Sequence, residues 1–199
     1  MKKNSYLLAA IFVLCLPAAY AYPPAVGILG TAKDCLSCHL NNGPWQEEAN
    51  TIIDILDKET QKSLKQADGS FSLEFHPGET RTFLTVIGRV KGDDKAPPYR
   101  NAWLYIDPQT IGGSALSKFP PGWEVNLPMA CRLVGDKIAL YEGAQVTVLP
   151  MSIRPGGTAK DAELALQVML TQGDAVKGKA KEGMIGNYFE RKVKLKILK

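Results

Sequence analysis

Alternation of apolar and polar residues with a period of two is the feature that most constrains this chain. Leu164, Leu166, Val168 and Leu170 fall on one face of a run whose other face holds Glu163, Gln167 and Met169, and Phe71, Leu73 and Phe75 alternate with Ser72, Glu74 and His76. A period of two sends successive side chains to opposite sides of an extended strand, whereas a helix needs 3.6. Ile53 and Ile55, Thr82 to Val90, Cys131 to Leu133, Ile138 to Tyr141, Val146 to Leu149 and Tyr188 to Leu198 extend the pattern. Turn signals such as Asp68-Gly69, Pro77-Gly78 and Gly92-Asp93-Asp94 separate the runs. No amphipathic helix of three turns competes. Short strands at intervals of roughly ten residues predict a mainly β fold, a β-sandwich-like domain with a short segment in front of it. Ala96 to Pro128, rich in Pro and Gly around Trp103, Phe119 and Trp123, reads as a long crossing loop with aromatic anchors.

The first residues read as a targeting signal. Lys2 and Lys3 precede an apolar run from Leu7 to Leu16, and Ala19-Tyr20-Ala21 supplies the small residues of a cleavage site. The expected organisation is a removed signal peptide over 1–21, an N-terminal segment over 22–50 and a β domain over 51–199. The apolar run is shorter than the stretch of about 20 residues that a membrane helix needs, so an exported protein with no membrane span is expected, in a periplasm or equivalent lumen. Lys and Arg number 24 against 20 Asp and Glu. That near balance excludes nucleic acid as an expected partner.

Removal of the leader takes Cys15 with it and leaves Cys35, Cys38 and Cys131. The run Cys35-Leu36-Ser37-Cys38-His39 has the spacing of a haem attachment site. Two thiols form thioethers with the vinyl groups, and an imidazole directly after the second thiol reaches the iron from the same side. A Cys-x-x-Cys redox pair would follow a buried strand, which Gly30-Thr31-Ala32-Lys33-Asp34 is not. A zinc site would need a second ligand pair, and a structural disulfide would not call for His39. One covalently bound haem c on the 22–50 segment, with the β domain packing on it, is therefore expected.

The second axial ligand is open at this stage. His76 is the only other histidine, on the polar face of its strand and before Pro77. Met129, Met151, Met169 and Met184 are lone methionines, which more often fill cores than bind metals. Cys131 is an odd cysteine in an oxidising compartment, in Leu127-Pro128-Met129-Ala130-Cys131-Arg132-Leu133, where alternation points Met129 and Cys131 to one side. Away from the haem motif, Lys192, Lys194 and Lys196 give the last run a basic face, read as either a solvated edge strand or a docking surface for an acidic redox partner.

The run Ala25 to His39, followed by Asn41-Asn42-Gly43-Pro44-Trp45, by Thr51-Ile52-Ile53-Asp54-Ile55 and by the isolated Cys131, resembles the small subunits of the heterodimeric low-potential cytochrome c of anaerobic ammonium-oxidising bacteria, NaxLS. The resemblance implies His39 as proximal and Cys131 as distal iron ligand, a second homologous cytochrome subunit, redox partner proteins, binding of NO or CO, and an anammoxosome location. Electron transfer or gas binding without turnover is then the expected function. A catalytic haem subunit, peroxidase-like or acting on nitrogen oxides, and a structural haem subunit are the alternatives. No Arg-x-x-x-His pattern marks a catalytic pocket.

Overall fold

The structure, a computed structural model, describes residues 35–37, 40–95, 98–105, 122–126, 135–172 and 185–199. Eight strands form two sheets: β1 (Thr51–Asp57), β2 (Phe71–Phe75), β3 (Arg81–Arg89), β4 (Tyr99–Tyr105), β5 (Trp123–Asn126), β6 (Gln145–Pro155), β7 (Ala162–Gln172) and β8 (Ile185–Ile197). The first sheet has the order β1-β3-β6-β5 and the second β2-β8-β7-β4. All neighbours run antiparallel except β2 and β8, which pair in parallel with Phe71 opposite Val193 and Phe75 opposite Ile197.

The expected mainly β, sandwich-like fold is what the chain forms. The inner faces meet in one cluster, with Ile55, Phe83 and Met151 of the first sheet against Phe71, Leu166 and Val193 of the second. Phe75 stands edge-on to Phe83 at 5.7 Å and to Trp123 at 5.0 Å between centroids, which closes one end of the sandwich. The outer side of the first sheet carries a second cluster, Ile52, Leu56, Val86 and Val146, covered by Ile138. There the Tyr141 hydroxyl donates to Asp54 Oδ2 at 2.6 Å and the Ser63 hydroxyl to Asp54 Oδ1 at 2.7 Å.

Three local expectations need correction. The crossing loop contains β4 and β5. Ile138 to Tyr141 is not a strand but leads into a 3₁₀ turn, Ala139–Tyr141. A spacing of three places Ile138 and Tyr141 together on the sheet, which alternation would not. The last strand lies between β2 and β7 and is no edge. Its Lys192 and Lys194 are paired with Glu163 and Asp68, each at 3.1 Å. Cys131 to Leu133 lies outside the described residues.

Candidate functional site

Gln167, Met169 and Thr171 of β7 point away from the core, yet they are 2%, 1% and 8% exposed. Met169 is a large buried apolar side chain that belongs to neither hydrophobic cluster. This outward patch is covered by the segment that carries the cysteine motif. Cys35–Ser37 forms a 3₁₀ turn against β7, and the half-buried Cys35 thiol donates to Gln167 Oε1 at 3.7 Å.

Hydrogen bonds to the start of β8 hold the segment in place. Asn41 Oδ1 accepts the Tyr188 N–H at 3.0 Å and Asn187 Nδ2 at 3.3 Å, Asn42 Oδ1 accepts the Gly186 N–H at 3.3 Å, and the Gly43 N–H donates to the Gly186 carbonyl at 2.7 Å. Asn187, 3% exposed, accepts the Trp45 N–H at 2.7 Å, and Trp45 itself is buried in the main core. The approach is too close for a side chain on β8. A Cβ on Gly186 would lie 2.5 Å from Met169 Cε, 2.8 Å from the Leu170 carbonyl oxygen and 3.2 Å from that of Leu40. Only glycine permits that packing.

Charge fixes the chain just beyond. Arg89, fully buried, donates from Nε to Asp93 Oδ2 at 2.5 Å and from Nη1 to Thr51 Oγ1 at 2.6 Å and to the Glu47 carbonyl at 3.3 Å. The Arg89 hydrogen bond holds the Asp93 carboxyl below the ordinary carboxylate range.

Of the residues singled out in sequence, Cys35 sits on this face. Cys38, His39, Met129, Cys131 and Met184 lie outside the described residues. Met151 is in the core. His76 is exposed just past the end of β2, with its N–H donating to Glu79 Oε2 at 2.8 Å. Its strand ends opposite Ile197, whereas Gln167 pairs with Glu190. Glu190 to Ile197 is about 23 Å of strand at roughly 3.3 Å per residue, so the fold does not bring His76 near Cys35.

Sequence reasoning missed Gln167, Gly186 and Asn187. Gln167 carried a signal, a polar residue inside an apolar run, and Gly186-Asn187 opens a strand where neither is favoured. The surroundings suit a flat apolar group joined through Cys35. Leu36, Leu40 and Ile185, each 37% exposed, are three of the four large apolar side chains left in water among the described residues, and all flank this turn or its anchor. No group of three or more His, Cys, Asp or Glu that could hold a bare metal ion occurs among the described residues. No helix among them is long and apolar enough to cross a membrane. No protein-family model and no curated protein matches the chain.

Proposed function

We propose that this chain is a monohaem c-type cytochrome of low reduction potential that serves electron transfer, binding of NO or CO, or both. The observation that carries the proposal is the docking of the Cys35 turn on the outward face of β7 and β8, within a rim of exposed leucine and isoleucine. Haem c bound there would supply a one-electron Fe(III)/Fe(II) couple and, when ferrous, a site for a diatomic gas.

The chain's own groups divide the work. The Cys35 and Cys38 thiols each add across a vinyl group, so attachment survives unfolding. His39 supplies the proximal imidazole. Asn41, Asn42 and Asn187 tie the chain that follows the motif to β8. Cys131 is the proposed distal ligand, on the strength of the resemblance and of its being the odd thiol of the exported chain. A thiolate donates negative charge and stabilises the ferric state, which lowers the potential relative to methionine. Met129 is the substitute next to Cys131 in sequence, while His76 is disfavoured by its distance from Cys35. The resemblance extends the proposal to a second homologous subunit, to redox partner proteins and to an exported location.

The test is covalent haem. Protein matured with haem and then denatured should keep the haem's absorbance on the polypeptide, and the Cys35→Ala/Cys38→Ala variant should lose it. Haem that extracts fully from the wild-type chain into acidified organic solvent would refute the proposal.

A further inference from the structure

Asn42 precedes Gly43, and this is the single Asn-Gly pair in the chain. An asparagine followed by glycine is the pair most prone to modify itself in water. The backbone nitrogen of the glycine gives up its proton and bonds to the asparagine Cγ, the bond from Cγ to the side-chain nitrogen breaks, and ammonia leaves. Water then opens the resulting succinimide ring at either carbonyl, which yields aspartate or isoaspartate. The reaction needs no oxidant and no co-reactant other than water. Glycine favours the attack because it has no Cβ to obstruct it.

The packing on β8 both creates this liability and restrains it. A Cβ on Gly43 would lie 2.6 Å from Asn187 Oδ1, 2.9 Å from the Gly186 carbonyl carbon and 3.0 Å from its oxygen. Close approach to β8 thus demands the very residue that makes Asn42 vulnerable. Once the segment is seated, Gly186 engages both reacting groups: its carbonyl accepts the Gly43 N–H at 2.7 Å, and its N–H donates to Asn42 Oδ1 at 3.3 Å. The bond at Oδ1 draws electrons from Cγ and would by itself favour attack, but it is the longer and weaker of the two. The nucleophile is buried with Gly43 and keeps its proton in the shorter bond, so ring closure must break that bond first. Asn42 is exposed, and water reaches it. We propose that Asn42 and Gly43 form a modification site gated by their seat on β8: seated, the pair is preserved, and unseated, it closes to the imide and becomes aspartate or isoaspartate. Isoaspartate routes the backbone through the side chain and adds a methylene ahead of Gly43, so a segment that has reacted this way does not return in register to Gly186.

The experiment incubates the full chain in mildly alkaline buffer and follows position 42 by peptide mapping, reading the mass gain of amide-to-acid conversion and the yield of isoaspartate. Native wild type should react at least about tenfold more slowly than the same chain unfolded in urea. Asn41→Ala removes, from an exposed position, the acceptor of the Tyr188 N–H at 3.0 Å and of Asn187 Nδ2 at 3.3 Å. It should raise the native rate about tenfold while its rate in urea stays close to that of wild type. Asn187→Leu should act in the same direction, and if that variant does not fold, Asn41→Ala alone carries the test. Equal rates in native and unfolded wild type, or a native rate unmoved by Asn41→Ala, would overturn the proposal, because β8 would then not control the site.

Discussion

Replacing Asn187 by leucine probes the stitch between the cysteine-bearing segment and β8 without touching either cysteine. The leucine has a similar size and no polar atom. It removes the acceptor of the buried Trp45 N–H at 2.7 Å and the donor to Asn41 at 3.3 Å. One hydrogen bond lost at about 1 kcal/mol, plus a buried N–H deprived of its acceptor at about 1 to 3 kcal/mol, gives a destabilisation of roughly 2 to 4 kcal/mol. In a domain of this size each kcal/mol moves the midpoint by about 2 to 4 °C, so a fall in Tm of roughly 5 to 15 °C is expected. Calorimetry measures the shift. Amide hydrogen exchange locates it, because Gly43 and Trp45 should lose protection while Val86 and Thr85 in the middle of β3 keep theirs under native conditions. A Tm within about 1 °C of wild type, with Gly43 still protected, would refute the stitch.

Two further perturbations test the electrostatics. Asp93→Asn leaves the fully buried Arg89 without its nearest carboxylate and should cost about 3 kcal/mol in urea unfolding at neutral pH. Because the folded Asp93 pKa is depressed, its contribution is complete above the unfolded value near 4 and fades as pH falls toward the folded one, so wild type and variant should converge in acid. Burial first, and then the hydrogen bond to Asp54, hold the Tyr141 phenol above its usual value. The folded state thus binds that proton more tightly, and the stabilisation is complete below about pH 10 and declines above it as the unfolded chain ionises. Denaturation curves at neutral pH and above pH 10 should show wild type losing more stability than Tyr141→Phe across that range.

The strands that sequence alone disclosed are those with one wet face or one clean apolar face. Phe71, Leu73 and Phe75 of β2 are buried while Glu74 is exposed, so the alternation is explicit. In β4, Tyr99–Tyr105, each parity mixes apolar with polar residues, Arg100 on one and Asn101 on the other, and neighbouring prolines and glycines pull the segment toward a loop assignment. Met169 shows the limit of periodicity most directly. Alternation placed it on the face opposite Leu166, Val168 and Leu170 but could not say that this face is covered, because the cover, Cys35–Ser37 and Leu40, is remote in sequence. The cysteine motif was visible in sequence from its spacing alone. Its platform was not, since Gly186 and Asn187 acquire their meaning only when Asn41, Asn42 and Gly43 lie against them.

The pairing of Asn41 with Tyr188 spans 147 residues, and it has a kinetic consequence. The parallel β2–β8 ladder likewise joins an early strand to the last one, so neither the complete second sheet nor the β8 anchor of the cysteine-bearing segment can form until nearly the whole sequence has emerged. Loop closure over such separations must be met before any contact rewards it. A chain so dominated by non-local pairings belongs among slow folders, in the millisecond to second range or beyond. This leaves an interval in which Cys35 is accessible and the strand that anchors its segment is not yet formed. On the proposed function, haem attachment would belong to that interval, before closure of the sheet.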